Sequence, residues 1–242
     1  MNELLKMTAH QVKEGKFDKV ILAIGSCEAH GQHLAEGCDT IVSYELSKQV
    51  ADRVPGMLVL PPITVGYSGH YDTFPFTLTF DYETMIHVIY DIVESVLRNG
   101  INKIFLMNGH DGNIAPIEIA ARKIKEKYPD ARIASLPEWW VIAGKLVPEG
   151  TFAVWNGLGH AGEGETSIAY HLFPQWCEPD QATCVVPDHL PEHVDIKWDF
   201  AEITDTAQTG DATVATAAKG KLMNDCLVEA VVKDIEALEK TG

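Results

Sequence analysis

The sequence predicts an α/β protein, namely a three-layer α/β/α sandwich with a mostly parallel sheet. Short apolar runs recur along the chain, and most are followed by a segment whose apolar residues have helical spacing. This alternation favours a parallel sheet covered by helices on both faces. Polar clusters follow several of the runs, as expected for functional loops beyond the carboxyl ends of parallel strands. With 242 residues and 46% hydrophobic content, the chain can bury one sizeable core, so we predict a single domain over 1–242.

The first half of the chain begins with a polar leading segment and then a buried strand, Lys19–Ile24. Apolar residues at a spacing of four predict the next helix, which Pro55 and Gly56 terminate. Period-two alternation over 76–80 predicts a short strand with one buried face. The predicted elements of this half are a helix in 1–16, a strand over 19–24, a helix over 41–54, a strand over 57–63, a strand over 76–80, and a long helix that Asp81 caps and Asn99-Gly100 closes.

The second half of the chain continues the alternation and then becomes irregular. Residues 137–158 contain several tryptophans and glycines, and we predict no regular element there. Residues 174–209 are rich in Pro and Asp, with one short strand expected over 183–186. The remaining predicted elements are strands over 103–107 and 132–136 and helices over 114–127, up to 172, and over about 219–240.

Composition excludes several classes of function. The formal net charge of -16 argues against a nucleic-acid or anionic-membrane partner, because phosphate binding needs an excess of Lys and Arg. No uninterrupted apolar stretch approaches the ~18 residues of a membrane span, and the N-terminal residues do not form a secretory signal. The five cysteines lack CxxC spacing, which favours reduced thiols in a cytoplasmic protein. Among them, Cys27 and Cys38 flank the polar cluster described next, and we interpret them first as packing residues.

The most informative stretch runs from Gly25 to Thr40, directly after the first strand. It brings Glu28, His30, His33 and Asp39 into one short loop. Carboxylates and imidazoles together are ligands that zinc, manganese or iron(II) prefers. An alternative interpretation is a polar loop in which Asp39 or Thr40 caps the following helix.

Two further clusters favour the metal interpretation. His110 follows the strand over 103–107, and His160 and Glu165 share a glycine-rich segment before a helix. Together with the first cluster, they offer enough ligands for two metals about 3.5 Å apart with a bridging carboxylate. Such a pair activates a water molecule and polarises a carbonyl, while a neutral imidazole can protonate the leaving group.

These motifs resemble those of the creatininase (creatinine amidohydrolase) family of metal-dependent hydrolases, and they occur in the order found in that family. The resemblance covers nearly the whole chain. The segments that carry it are residues 25–34, 39–40, 74–79, 108–113 and 160–167, with Gly210-Asp211 before the last helix.

The resemblance implies an α/β/α fold with a dinuclear site, in a homo-oligomer that is often hexameric. It implies that Glu28 and His110 hold one metal, that His30 holds the other, and that Asp39 bridges them. It also implies that His160 donates a proton to the leaving group, although a helix-capping or loop histidine is the alternative at that position. We expect Zn, Mn or Fe as the two divalent ions.

One position departs from authentic creatininases. Their metal-binding Glu in the NGH-x-E-N segment is replaced by Gly112 here, so the second metal needs another ligand. We predict that Glu165 is this ligand, and Asp111 is the alternative candidate. Creatininases also have a Glu near the substrate where this chain has Gly159. Both changes indicate a family member whose substrate is not creatinine.

The function predicted from these residues is hydrolysis of a carbon–nitrogen bond in a cyclic or linear amide, by a metal-activated water and with a small-molecule substrate. His70, Tyr71 and Asp111 are expected to line the substrate pocket, and His33 to orient a ligand. Two alternatives remain open: hydrolysis of a carbocyclic sugar ketone or lactone at the same site, and a non-catalytic protein that binds a metal or ligand on this scaffold.

Overall fold

The computed structural model describes residues 2–188, 190–191, 193–194 and 196–240. Its main sheet has four parallel strands in the order β2-β1-β3-β4. These strands are β1 (Lys19–Ile24), β2 (Met57–Val59), β3 (Lys103–Asn108) and β4 (Arg132–Leu136), and a small antiparallel pair is formed by β5 (Cys184–Val185) and β6 (Gly210–Asp211). The helices are α1 (Ala9–Glu14), α2 (Cys38–Arg53), α3 (Tyr82–Arg98), α4 (Ile114–Lys127), α5 (Trp139–Leu146), α6 (Glu163–Leu172) and α7 (Ala217–Lys240).

The two faces of the sheet belong to two different hydrophobic clusters. Val20, Leu22 and Ile24 of β1 pack on one face with residues of α3 and α4. Ile21 points to the opposite face and packs with residues of α2, α5, α6 and α7. Because successive side chains of a strand alternate between faces, a strand with helices on both sides is apolar throughout. The predicted three-layer α/β/α arrangement with a parallel sheet is therefore confirmed.

Residues 76–80 do not form the predicted strand. Only isolated bridges occur there, from Leu78 to Cys27 and from Thr79 to Gly66. Phe76 has a φ of 56°, which interrupts an extended backbone, and its side chain is 86% exposed. The alternation therefore reflects a loop with exposed apolar side chains, and the prediction of a half-buried strand is wrong.

Residues 137–158 contain a helix that the sequence did not predict, α5 (Trp139–Leu146). Trp139, Ala143 and Gly144 are its buried residues, and they lie on one face. The indole of Trp139 is completely buried in the cluster that α2, α6 and α7 share. The large aromatic residues in this segment obscured a helical period carried mostly by small ones.

Other boundaries differ by a few residues. The helix predicted in 1–16 is the short α1, preceded by a 3-10 turn at Leu4–Lys6, while Met1 lies outside the described residues. The strand predicted over 57–63 is regular only up to Val59, and Ile63 adds an isolated bridge to β1. Within the described part of the chain, none of the helices combines the length and apolar character needed to cross a membrane.

The ends of β1 and β3 position the polar loops. The strands pair in register up to Ile24 and Asn108, so the chain leaves both at the same edge of the sheet. A Cβ on Gly25 would lie 2.3 Å from the Cα of Thr40, and a Cβ on Gly109 would lie 2.3 Å from the main-chain oxygen of Asp39. The first turn of α2 therefore packs directly against the ends of both strands.

Candidate metal centre

Asp39 lies at the centre of the polar cluster. Its Oδ1 is 3.0 Å from His30 Nε2, and its Oδ2 is 3.0 Å from His110 Nδ1. The hydroxyl of Ser26 donates a 2.7 Å hydrogen bond to Oδ2. Each carboxylate oxygen thus faces a different imidazole, which is the arrangement required of a ligand that bridges two metal ions.

Glu28 is a completely buried carboxylate whose two oxygens accept no hydrogen bond from any described group. His110 Nδ1 lies 3.1 Å from Oε1, but the contact does not have hydrogen-bond geometry. Burying a carboxylate that accepts no hydrogen bonds is strongly unfavourable unless a positive charge lies beside it, so buried charges are paired or coordinate metals. The orphaned oxygens of Glu28 therefore fit a bound cation.

Main-chain carbonyl groups orient three imidazoles of the cluster. His30 Nδ1–H donates to the oxygen of Glu28 at 3.0 Å, and His110 Nε2–H donates to the oxygen of Tyr67 at 2.7 Å. His160 Nε2–H donates to the oxygen of Ala29 at 2.8 Å. These bonds fix the ring orientations, and they leave His30 Nε2 and His110 Nδ1 directed at Asp39 as potential ligand atoms.

The charges of the cluster are strongly coupled. Burial alone would lower the pKa of His30, but the surrounding carboxylates, Asp39 foremost, outweigh burial and raise that pKa to about 10. Burial alone would also lower the pKa of His110, yet Glu28 and Asp39 raise this pKa well above its usual value. Protonated imidazoles thus compensate the carboxylates here, and a divalent cation bound between them would have to displace those protons.

His160 has the opposite electrostatic character. Burial, together with the charge of His30, lowers its pKa to about 3, so its ring is neutral at ordinary pH. Its ring centroid lies 4.2 Å from that of His30, and its Nε2 lies 4.0 Å from Glu28 Oε1. A neutral imidazole beside the centre can accept or donate a proton during a reaction.

Glu165 lies in the first turn of α6 and is buried. Burial raises the pKa of its carboxyl group to about 7, and its Oε2 accepts a 2.6 Å hydrogen bond from the main-chain N–H of Ala161. Among the residues that the structure describes, three groups of ligand atoms lie within 4.8 Å of one another: Glu28, His30 and His160; His30, Cys38 and Asp39; and Glu28, Asp39 and His110. Glu165 belongs to none of these groups, and its role as a ligand stays a prediction.

The residues predicted to line a substrate pocket have different positions. The ring of His70 lies 5.9 Å from that of His110, and the ring of Tyr71 lies 4.5 Å from that of His160. Both therefore lie beside the centre. Asp111 is exposed and begins a short 3-10 turn after His110.

Two neighbours of the centre explain how its walls are held. His33 Nε2 lies 2.8 Å from Thr166 Oγ1, which links the first polar loop to α6. Phe200 was not singled out from the sequence, yet its ring lies 4.5 Å from that of Tyr71 and 5.3 Å from that of His160. Its position depends on the course of an irregular segment, and the only sequence signal is an aromatic residue after Asp199, which caps a 3-10 turn.

Comparison with known proteins relates this chain to one family. The family model described as "Creatininase: Creatinine amidohydrolase" matches residues 5–235. Creatinine amidohydrolase of Pseudomonas putida is 28% identical over 231 residues, which cover 89% of this chain and 88% of that protein. The mycofactocin precursor peptide peptidase of Mycobacterium ulcerans (strain Agy99) is 26% identical over 242 residues, covering 94% of this chain and 90% of that protein.

Solved creatininase structures show the same fold. One described as a Mn form has a TM-score of 0.80 at 26% identity and covers 98% of both chains. A mutant of Zn-Zn type has a TM-score of 0.80 at 27% identity and covers 97% of both chains. A mutant complexed with creatine has a TM-score of 0.81 at 26% identity and covers 98% of both chains. The matched family model and the shared fold place this chain in the creatininase family of hydrolases.

Proposed function

We propose that this protein is a metal-dependent hydrolase that cleaves a carbon–nitrogen bond of an amide, with two divalent cations held by Glu28, His30, Asp39 and His110. The observation that carries the proposal is the pairing of the two Asp39 oxygens with two different imidazoles, beside a buried glutamate that has no hydrogen bonds. Divalent ions bound there would supply an activated water and polarise the substrate carbonyl.

The residues around the centre have two further roles: they hold the ligands in place, and they transfer a proton. Ser26 holds one Asp39 oxygen in place, and the main-chain carbonyls hold the imidazoles. The neutral ring of His160 donates Nε2–H to Ala29, so Nδ1 is its proton acceptor. It can take the proton released by water and pass it to the leaving nitrogen, as general acid–base catalysis requires.

The substrate class follows from the relatives and from the walls of the site. A creatinine amidohydrolase and a peptide peptidase are both similar to this chain, and both names describe cleavage of an amide-type bond. Tyr71 and Phe200 give the wall beside His160 an aromatic surface. A Cβ on Gly159 would lie 2.4 Å from the Thr209 oxygen at a φ of 116°, so the Glu that creatininases place there does not fit. We therefore propose an amide other than creatinine.

The test combines elemental analysis of protein purified without chelator with hydrolysis of a panel of amides, formamides, lactams, short peptides and lactones. We expect divalent metal in the protein and turnover of an amide. Asp39→Asn should lose metal and turnover while the fold survives, because an amide nitrogen cannot replace the second bridging oxygen. Asp91→Asn, the same chemical change on the exposed face of α3, should behave as wild type. A fully active Asp39→Asn enzyme would show that the proposed mechanism is wrong.

A further inference from the structure

The two candidate metal positions are unequally supplied with ligands. Glu28, His110 and Asp39 Oδ2 surround one position. On the other side of Asp39, His30 Nε2 faces Oδ1 at 3.0 Å. Catalytic zinc sites in proteins have three protein ligands, so the second position needs one more.

Gly112 cannot supply the missing ligand. A Cβ at this position would lie 2.1 Å from the main-chain oxygen of Tyr67 and 2.6 Å from His110 Nε2. That carbonyl oxygen is the acceptor that orients His110, so it cannot move without disturbing the first position. The local backbone thus excludes the side chain that creatininases use, and the third ligand has to come from another element.

Glu165 was predicted for this position, but it belongs to no ligand group with His30 and Asp39, and its Oε2 already accepts a hydrogen bond from the Ala161 N–H. Cys38 is the residue that the fold brings to this place. It is the first residue of α2, directly before Asp39, and it is completely buried. Its sulfur, a ring nitrogen of His30 and a carboxylate oxygen of Asp39 all lie within 4.8 Å of one another. Ligand atoms bonded to one tetrahedral zinc at about 2.0 to 2.3 Å lie roughly 3.5 Å apart, so a shift of about 1 Å would bring these three atoms to that spacing.

We propose that Cys38 is the third protein ligand of the second metal ion, together with His30 and Asp39. The inference rests on the proposed metal-dependent function and adds a thiolate to its ligand set. When a divalent cation binds, the thiol of Cys38 would release its proton to solvent, so that the sulfur would hold the cation as a thiolate. The buried oxygens of Glu28, which accept no hydrogen bond from the described residues, independently indicate that this cavity is built around a cation.

A thiolate would change which metal the second position prefers. Sulfur ligands select zinc and other softer ions, whereas carboxylate and water ligands suit manganese and magnesium. The ligand set His30, Asp39 and Cys38 therefore favours zinc over manganese at this position. The first position, with Glu28, Asp39 and His110, keeps the nitrogen and oxygen ligands that both metals accept.

The experiment is a Co²⁺ titration of chelator-stripped full-length protein, followed by near-ultraviolet absorption. Cobalt bound to a cysteine gives an intense thiolate-to-metal charge-transfer band, which nitrogen and oxygen ligands do not produce. We expect the band in the wild type, its loss in Cys38→Ser, and at least about tenfold weaker cobalt binding at the second position. Cys27→Ser is the matched control, since Cys27 also flanks the cluster but belongs to none of the ligand groups.

The outcomes separate this inference from the function on which it rests. Cobalt binding and amide turnover without the charge-transfer band would overturn the role of Cys38 and leave the hydrolase proposal intact. The same holds if Cys38→Ser keeps the band or binds cobalt as tightly as the wild type. A protein that binds no cobalt at all would overturn the metal-dependent function itself. Thermal unfolding of stripped Cys38→Ser and Cys38→Ala tests whether a loss of binding reflects misfolding.

Discussion

His160 differs in charge from the other imidazoles around Asp39. The pKa of His30 is raised to about 10, whereas that of His160 is lowered to about 3. The difference arises because Asp39 faces His30 directly at 3.0 Å, while at His160 burial and the neighbouring charge of His30 outweigh the more distant carboxylate of Glu28. At the scale of single residues, the centre thus separates groups suited to hold cations from one suited to transfer a proton.

This separation predicts the behaviour of His160→Gln. We expect kcat to fall by about 10²- to 10⁴-fold, the usual contribution of a general acid–base group. Metal content should stay at the wild-type level, because Glu28, His30, Asp39 and His110 remain. Elemental analysis and steady-state kinetics measure the two effects, with His87→Gln on the exposed face of α3 as control. Loss of metal in His160→Gln would identify His160 as a ligand instead.

The sequence located residues whose position depends on strand ends, and it missed those whose position depends on distant loops. Glu28, His30 and His110 directly follow predicted strands, so their proximity could be inferred from a parallel sheet. Phe200 reaches the site through an irregular segment with no periodic pattern. The proximity of Cys38 to His30 could not be inferred either, because it depends on how the loop before α2 folds back.

Helix α7 packs on α6 at a point of very close contact. A Cβ on Gly220 would lie 1.9 Å from the main-chain oxygen of Ser167. The hydroxyl of Ser167 also accepts a hydrogen bond from the N–H of Thr216, just before α7 begins. Because α6 carries Glu165 and Thr166, this contact helps to determine where two residues beside the centre lie.

Gly220→Ala is therefore expected to destabilise the protein. On an exposed helix face, such a change stabilises by up to about 1 kcal/mol, but the clash with Ser167 should cost about 1–3 kcal/mol. Each kcal/mol corresponds to roughly 2–4 °C in Tm at this chain length. Calorimetry tests the expectation, with Ala237→Gly on the exposed side of α7 as a control that loses only helix propensity. A raised Tm in Gly220→Ala would show that α7 adjusts without cost.

At the scale of elements, the sequence predicted those with a clear period. The strand Lys19–Ile24 and the helix over 114–127 have the predicted bounds, since their apolar patterns match their burial. The prediction of a strand over 76–80 was wrong because an alternating pattern of apolar residues cannot reveal the left-handed φ of Phe76. Helix α5 was missed because its buried face includes Ala143 and Gly144, which give little hydrophobic signal.

For the whole molecule, the carboxylates and imidazoles in the core connect metal binding to stability. In the metal-free protein, the raised pKa of His30 means that its stabilising pair with Asp39 is fully present below pH 6.5 and is lost as the pH rises toward 10. At the acidic end, the depressed pKa of Asp39 means that its contribution declines once the pH falls below 3.8. A metal ion bound as proposed would replace the proton of His30, so the metal-loaded protein should not lose stability at alkaline pH in this way.

The expected result is a difference in Tm between loaded and stripped protein that widens as the pH rises from about 6.5 to 10. Metal at a hundred times its Kd adds about 2.7 kcal/mol to the free energy of unfolding. Thermal scans of both forms across this pH range measure the difference. Groups outside the centre titrate alike in both forms, so their effects on Tm cancel in the difference. If the plots of Tm against pH for the loaded and stripped forms were parallel, the proposed coupling between metal binding and stability would be contradicted.

The three-layer arrangement could be predicted because alternating strands and helices allow few other solutions. The single domain over 1–242, the homo-oligomer and the cytoplasmic location stay predictions. A pattern of apolar residues within one chain determines its core, but it contains little information on which surfaces meet another copy.

The carbonyl groups that orient His30, His110 and His160 belong to the main chain of Glu28, Tyr67 and Ala29. A substitution that preserves the backbone leaves such an acceptor in place, whatever side chain it introduces. Mutations in the aromatic wall can therefore accumulate during evolution without misaligning the imidazoles. This gives a physical reason why a creatinine amidohydrolase and a peptide peptidase, 28% and 26% identical to this chain, can differ in the substrates that their names state.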